Sequence, residues 1–409
     1  MPPVSPLAPE RLAELPAVAG VRLAAAQCGV RYRDRRDLMV AVLDAPAAVA
    51  GVLTRSKTPG APIDWCRQCL THGEARAIVA NSGNANVFTG RAGREACVMT
   101  AAAAARLLGC DPHAVFIAST GVIGERLDAG KIVAALPAAI EATAPLGWRD
   151  AAEAIMTTDT FPKLATARAT IDGVSVTING IAKGSGMIAP DMATMLAFLF
   201  TDAAIPAPVL QALLRPAVER SFNAITVDGD TSTSDTVLLV ATGAAGNAPP
   251  AAARAPALRG FKRALEKVAI DLAQQIVKDG EGAEKFVTIE VSGAASSRAA
   301  RRIALSVGNS PLVKTALAAG DANWGRIVAA VGKSGEKADR DRLAIAVGGI
   351  TIAAAGGPVP GYDEAPVAAH MKGRDIKIAI DLGIGRGRAR VWTCDLTHRY
   401  IDINGSYRS

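Results

Sequence analysis

The 409 residues carry a net charge of +7, are half hydrophobic and only 4% aromatic. That length allows two packed units whose core must be built from Ala, Val, Ile and Leu rather than rings. No apolar stretch reaches the length that crosses a bilayer. The densest basic run, residues 31–36, is broken by Asp34 and followed by Asp37, which fits a solvated face better than a nucleic-acid patch.

A mild positive field suits small anionic metabolites. The start, Met1-Pro2-Pro3-Val4-Ser5-Pro6, has no basic segment followed by an apolar one, so a cytoplasmic protein is expected.

Residues 77–80 and 115–118 read as buried strands, each opening into a polar, glycine-containing loop. Between them, alanine-rich residues 94–108 predict a helix that stops at Gly109. Residues 167–179 alternate around Asp172-Gly173, a dipeptide suited to a tight hairpin. A strand-like run follows at 195–200, then amphipathic helices at 206–222 and 257–278. The Ala/Gly/Pro-rich segment 241–257 is expected to be a surface loop. Late strands are predicted at 286–291, 303–307, 377–381 and 400–403. Helices alternating with hairpins argue for a mixed, layered α/β fold rather than one doubly wound sheet.

The six cysteines include Cys66-Arg67-Gln68-Cys69, but no second pair completes a four-ligand set. His72, His113, His370 and His398 are scattered, so no metal is expected. Gly332-Lys333-Ser334 resembles the end of a phosphate loop, yet Ile327 stands where the first glycine is required. Gly383-Ile384-Gly385-Arg386-Gly387-Arg388 lacks the third glycine of a dinucleotide fingerprint, and no helix and strand follow it. Both are read as turns. A nucleotide-binding module built on them is the weakest alternative.

The chemically informative segment is Lys183 to Asp202, KGSGMIAPDMATMLAFLFTD. Thr194 follows a small residue, Ala193, after a glycine-rich loop and before an apolar strand. A cut before Thr194 would place a hydroxyl and a free α-amine on one residue, and the amine could then activate the hydroxyl. The cut itself needs the Thr194 hydroxyl to attack the preceding carbonyl. Gly184 and Gly186 give the backbone freedom to expose that bond, and Pro190 restricts it.

Further segments accompany it: Asn81-Ser82-Gly83-Asn84-Ala85-Asn86 with Thr89-Gly90; Ser119-Thr120-Gly121-Val122-Ile123-Gly124; Thr157-Thr158-Asp159-Thr160; Asp228-Gly229-Asp230-Thr231-Ser232-Thr233; and Asp279-Gly280-Glu281-Gly282-Ala283. Gly320 to Ile327, Cys394-Asp395-Leu396-Thr397 and Asn404 complete the series. In this order, over essentially the whole chain, they resemble the ornithine acetyltransferases (glutamate N-acetyltransferases) of arginine biosynthesis, which cut themselves at an Ala-Thr bond. Two departures stand out: Asp191 where asparagine is commoner, and Glu284 where threonine is common. The first puts a carboxylate near the cut and bears on its rate.

The resemblance implies an αββα-type sandwich related to the N-terminal-nucleophile enzymes, with distinct connectivity. It implies an alpha fragment 1–193 and a beta fragment 194–409 that begins with the nucleophile, assembled as a heterotetramer. Thr194 would take acetyl from N2-acetylornithine and pass it to glutamate. Thr120 and Gly121 would form the oxyanion hole. Lys183, Glu281, Asn404 and Ser409 would bind substrate together with Thr194 and Thr160, with or without Thr158.

No cofactor is implied. Whether acetyl-CoA also serves as donor stays open, as does a self-processing aminopeptidase or amidase in which water replaces glutamate.

Overall fold

The computed structural model describes residues 3–189 and 195–405, so the expectations for Ala193, Thr194, Asp191 and Ser409 lie outside the described residues. The chain forms two compact units. The larger comprises Glu10–Asn223 and Asp230–Ile276, and the smaller comprises residues 3–9, Ala224–Gly229 and 277–405. Neither unit is one continuous piece of sequence.

In chain order the larger unit contains β1 (Val21–Ala26), β2 (Leu38–Leu53), α1 (Ala61–Leu70), β3 (Glu74–Asn81), α2 (Gly90–Leu108), β4 (Val115–Ser119), α3 (Ala129–Glu141), α4 (Trp148–Ala154), β5 (Lys163–Ile171), β6 (Val174–Lys183), β7 (Leu196–Thr201), α5 (Ala207–Arg220), β8 (Thr236–Ala241) and α6 (Arg259–Lys278). Its strands make an eight-stranded sheet in the order β4-β3-β2-β8-β7-β6-β5, with β1 paired to the first half of β2. The β3–β4 and β7–β8 ladders are parallel and the others antiparallel.

Helices cover both faces of this sheet. On one side Trp65, Cys66, Ala101, Ala104, Leu136 and Trp148 pack with Ile78, Phe116, Phe198, Phe200 and Leu238 in a single cluster. The buried alanines of α2 let its backbone approach the sheet closely, which suits a core with few rings. On the other side Gly180 leaves room for Leu272 and Val268 of α6, because a β-carbon there would lie 2.7 Å from Leu272. The predicted hairpin joins β5 to β6 through Asp172 (φ 46°) and Gly173 (φ 85°), as two-residue turns with positive φ require.

The smaller unit contains β9 (Phe286–Ala294), α7 (Ser297–Gly308), α8 (Pro311–Ala319), α9 (Trp324–Gly332), β10 (Ala344–Val347), β11 (Ile350–Ala354), β12 (Gly357–Pro358), α10 (Glu364–Met371), β13 (Asp375–Asp381), β14 (Gly387–Cys394) and α11 (His398–Asn404). Its six strands run β12-β11-β10-β13-β9-β14, parallel only between β9 and β13. Along β13, buried Ile376, Ile378 and Ile380 alternate with exposed Asp375, Lys377, Ala379 and Asp381. One face of the sheet therefore packs under helices and the other is polar.

Both units are mixed, layered α/β, the class expected. Two predicted strands are helices. Residues 303–307 belong to α7, where Ala299, Ala300, Ile303, Ala304 and Val307 are buried at helical spacing and the Ser296 hydroxyl caps the Ala299 N–H. Residues 400–403 belong to α11. In both, a window of four or five residues is too short for periodicity to separate strand from helix. The 241–257 segment is a loop within the larger unit. Gly332 ends α9, and Gly383 lies in the turn between β13 and β14. Among the described residues no helix is long and apolar enough to cross a membrane.

Candidate functional site

Strand register gathers the charged groups. β5 begins at Lys163 and β6 ends at Lys183, and Lys163 pairs with Ala182 while Lys183 pairs with Leu196 of β7. Both lysines thus arrive at one end of the sheet, where the turn before β5 supplies Asp159. The Lys163 ammonium donates to Asp159 Oδ1 at 2.6 Å, and the Lys183 ammonium lies 3.7 Å from Oδ2. Backbone N–H groups of Gly184 (2.6 Å) and Thr157 (3.0 Å) donate to the same carboxylate. All three charged side chains are almost wholly buried. Burial alone would push the Asp159 carboxyl up, but Lys163 and Lys183 outweigh it and hold the carboxyl well below the usual range.

Lys183 reaches two hydroxyls, Thr157 Oγ1 at 2.8 Å and Thr120 Oγ1 at 3.3 Å. Thr120 follows β4 on a loop laced to the Asn81–Asn86 loop. The Thr120 N–H donates to the Asn81 carbonyl (3.0 Å), Ser119 Oγ donates to Asn81 Oδ1 (2.7 Å), and Asn84 bridges Thr120 and Val122. Gly121 has φ +128°, and a β-carbon there would sit 2.4 Å from the Gly83 carbonyl carbon. Only glycine permits this approach. Tyr32 packs on the far side of Gly83 and is half-buried.

The start of β7 is fixed by a second acid. Asp235, fully buried, accepts the Met195 N–H at 2.9 Å through Oδ1, and the parallel pairing of Leu196 with Thr236 keeps it there. Its Oδ2 has no hydrogen-bond partner among the described residues. Burial raises this carboxyl well above its ordinary value, and the Met195 N–H and Lys183 offset that only partly. Thr158 shares a 2.7 Å hydrogen bond with the buried Ser185 hydroxyl, and Thr160 is half-buried.

The smaller unit assembles a second group. Asn404 Nδ2, at the end of α11, donates to Glu281 Oε2 at 2.7 Å and to the Tyr400 carbonyl at 3.0 Å. The Glu281 loop lies against α11: Thr397 Oγ1 donates to the Gly282 carbonyl, and a β-carbon on Gly282 would meet the Tyr400 nitrogen at 2.7 Å. Glu284 is exposed, and its N–H donates to Asp395 Oδ1.

Thr120, Gly121, Thr158, Thr160 and Lys183 therefore lie in the larger unit, and Glu281 and Asn404 in the smaller. Asp159, Lys163, Ser185 and Asp235 carry no role in the sequence reading. Asp159 stands inside a quoted motif and Asp235 adjoins one, but outside a helix the four-residue Asp159–Lys163 spacing carries no pairing signal. The Cys66-x-x-Cys69 pair faces the core on α1. Cys66 Sγ donates to the Ile117 carbonyl, and burial pushes its thiol up to about 12.

A donor-only ammonium beside a threonine hydroxyl, next to a glycine in strained backbone, can present hydrogen-bond donors to a developing oxyanion. Comparison with known proteins identifies the family. The model of the ArgJ family matches residues 22–409. The arginine biosynthesis bifunctional protein ArgJ of Gluconobacter oxydans is 60% identical over 100% of this chain and 96% of its own length. Its Rhizobium meliloti counterpart is 58% identical over 99% of each. A crystal structure of the ArgJ protein of Bacillus halodurans superimposes with a TM-score of 0.50 at 42% identity, covering 51% of this chain and 98% of that one. The chain belongs to the ArgJ family of arginine-biosynthesis enzymes.

Proposed function

We propose that this acyltransferase moves the acetyl group of N2-acetylornithine to glutamate through an acetyl ester on Thr194, after cutting itself between Ala193 and Thr194. The fragments are then 1–193 and 194–409. In each half-reaction a tetrahedral oxyanion forms, and the Thr120 hydroxyl and Gly121 N–H are its donors. Removing one such donor costs about 3 kcal/mol, a hundredfold or more in rate.

The observation that carries this reading is the Thr120 hydroxyl held by Lys183 at 3.3 Å on a loop that only Gly121 can close. Donor and acceptor share an α-carboxylate, for which Lys183 supplies positive charge, with Thr158 and Thr160 as polar neighbours. Within the smaller unit, Glu281 held by Asn404 has the charge to take an ammonium; Glu281, Asn404 and Ser409 are proposed as substrate-binding residues on the family resemblance.

The relatives' description as bifunctional supports acetyl-CoA as a second donor to glutamate. We assign no resident cofactor or metal, a cytoplasmic location, and two copies of each fragment in the assembly. The test is mass spectrometry of enzyme incubated with N-acetylornithine alone, followed by addition of glutamate. An added acetyl on Thr194, discharged as N-acetylglutamate, supports the reading. Acetyl on another residue, or ornithine released equally fast without glutamate, overturns it.

A further inference from the structure

We infer that Lys183 works as part of the oxyanion hole, acting through Thr120, and that Asp159 together with Lys163 is the positioning pair that keeps it there. This rests on the acetyl-threonine reading above and adds to it.

The argument starts from what each atom can do. An ammonium has three protons and no lone pair, so at 3.3 Å from Thr120 Oγ1 and 2.8 Å from Thr157 Oγ1 it can only donate. Thr120 Oγ1 is therefore an acceptor in this pair. Its own proton must point elsewhere, and it is free to serve as a donor. A hydroxyl that could otherwise rotate is held with its proton on the side away from Lys183. Accepting from a cation also polarises the hydroxyl, so its outgoing hydrogen bond is charge-assisted at one remove. In a buried site that effect is little screened.

The placement of Lys183 is in turn imposed. Its backbone is locked between β5 and β7 by the ladders through Lys163–Ala182 and Lys183–Leu196. Two buried acids act on its charge: Asp159, whose carboxyl is held low, and Asp235, whose carboxyl is raised by burial and so carries less opposing charge. An ammonium buried without a counter-ion tends to lose its proton, so Asp159 is the acid that sustains it. Asp159 cannot turn away. Lys163 at 2.6 Å and the N–H groups of Gly184 and Thr157 hold both its oxygens. Lys163 is closer to the carboxylate than Lys183 is, 2.6 against 3.7 Å. It anchors Asp159, while Lys183 reaches on to the hydroxyls. The same Thr157 contributes its N–H to Asp159 and its Oγ1 to Lys183, which ties the carboxylate, the ammonium and the Thr120 hydroxyl into one framework.

The test is a double-mutant cycle on the full chain, with N-acetylornithine and glutamate and with rates expressed per processed molecule. Thr120→Ala and Lys183→Met should each lower kcat about a hundredfold. The pair together should be no more than about threefold worse than the poorer single variant, because each removes the same hydrogen-bonded unit. Multiplying effects, or a Lys183→Met loss that falls wholly in KM, would overturn the inference and leave Lys183 as a plain carboxylate binder.

A second readout uses Asp159→Asn. Without its counter-ion, Lys183 should lose its proton at a lower pH, so kcat in this variant should decline toward alkaline pH where the wild type stays level. A pH profile parallel to the wild type means that Asp159 is merely structural. Should Asp159→Asn fail to fold, Lys163→Met supplies the readout: with its anchor gone Asp159 should leave Lys183 and give the same alkaline decline, and a profile parallel to the wild type overturns the positioning pair. Absence of acetyl on Thr194 in the wild type is a separate result that removes the parent reading instead.

Discussion

Asn404 and Glu281, 123 positions apart, are joined by a 2.7 Å hydrogen bond that fixes the carboxylate on the end of α11. The amide spends both donor protons there, one on Glu281 and one on the Tyr400 carbonyl. Asn404→Ala should free the carboxylate to rotate and raise KM for N-acetylornithine roughly tenfold, the loss of about one charge-assisted hydrogen bond. The change in kcat should stay within threefold. Steady-state kinetics with the donor varied checks this; an unchanged KM removes Glu281 and Asn404 from the substrate's path.

Gly121 should tolerate nothing larger. A methyl group there meets the Gly83 backbone at 2.4 Å and sits on left-handed backbone. Gly121→Ala is expected to part the two loops at a cost of about 3 kcal/mol or more. Its transfer rate should fall at least a hundredfold, whereas Thr120→Ser, which keeps the hydroxyl, should retain a measurable rate. Side-by-side assays of the two variants decide the point.

Asp235 carries a carboxyl raised by burial, so the folded chain keeps a proton that the unfolded chain surrenders. This acid therefore lowers stability as pH rises above the ordinary carboxyl range near 4. Asparagine can still accept the Met195 N–H but does not titrate. Asp235→Asn should gain in melting temperature over the wild type as pH moves from 4 to 7, by roughly 2–4 °C for each kcal/mol recovered. A difference between the two proteins that does not vary with pH would contradict the assignment.

Self-processing offers the simplest check. A denaturing gel of purified protein should show fragments 1–193 and 194–409, Thr194→Ala should stay as one band, and Thr194→Ser should be cut in part. A second fragment beginning elsewhere by N-terminal sequencing refutes the proposed cut.

Much of this molecule was legible from its residues because the deciding signals are local. Asp172-Gly173 specifies its hairpin, Gly109 ends α2 in the left-handed conformation, and the apolar run after Met195 is the central strand β7. Helix α7 is ambiguous in sequence because Ile303 to Val307 is apolar enough for either structure. Its helical stripe appears only when Ala299 and Ala300 are included. Thr120, Lys183, Glu281 and Asn404 were named through the family resemblance, but their pairings depend on strand register and on residues far apart in sequence. Asp159 and Lys163 give no sequence signal, for a physical reason. Lone charges are normally solvated, and only the fold reveals that these two are buried on one another. The two-unit division was equally hidden, since the smaller unit collects residues 3–9, 224–229 and 277–405.

The strand order has one more consequence for a chain severed between Ala193 and Thr194. Strands β7 and β8 would belong to the second piece, yet they lie between β2 and β6 of the first. The ladders β6–β7, from Ile178–Thr201 to Lys183–Leu196, and β2–β8, from Ala48–Ala241 to Leu53–Thr236, would span the break. Separating the pieces would tear two rows of backbone hydrogen bonds from the middle of a sheet. The severed molecule should therefore stay whole under native conditions, and neither half should recover its shape without the other.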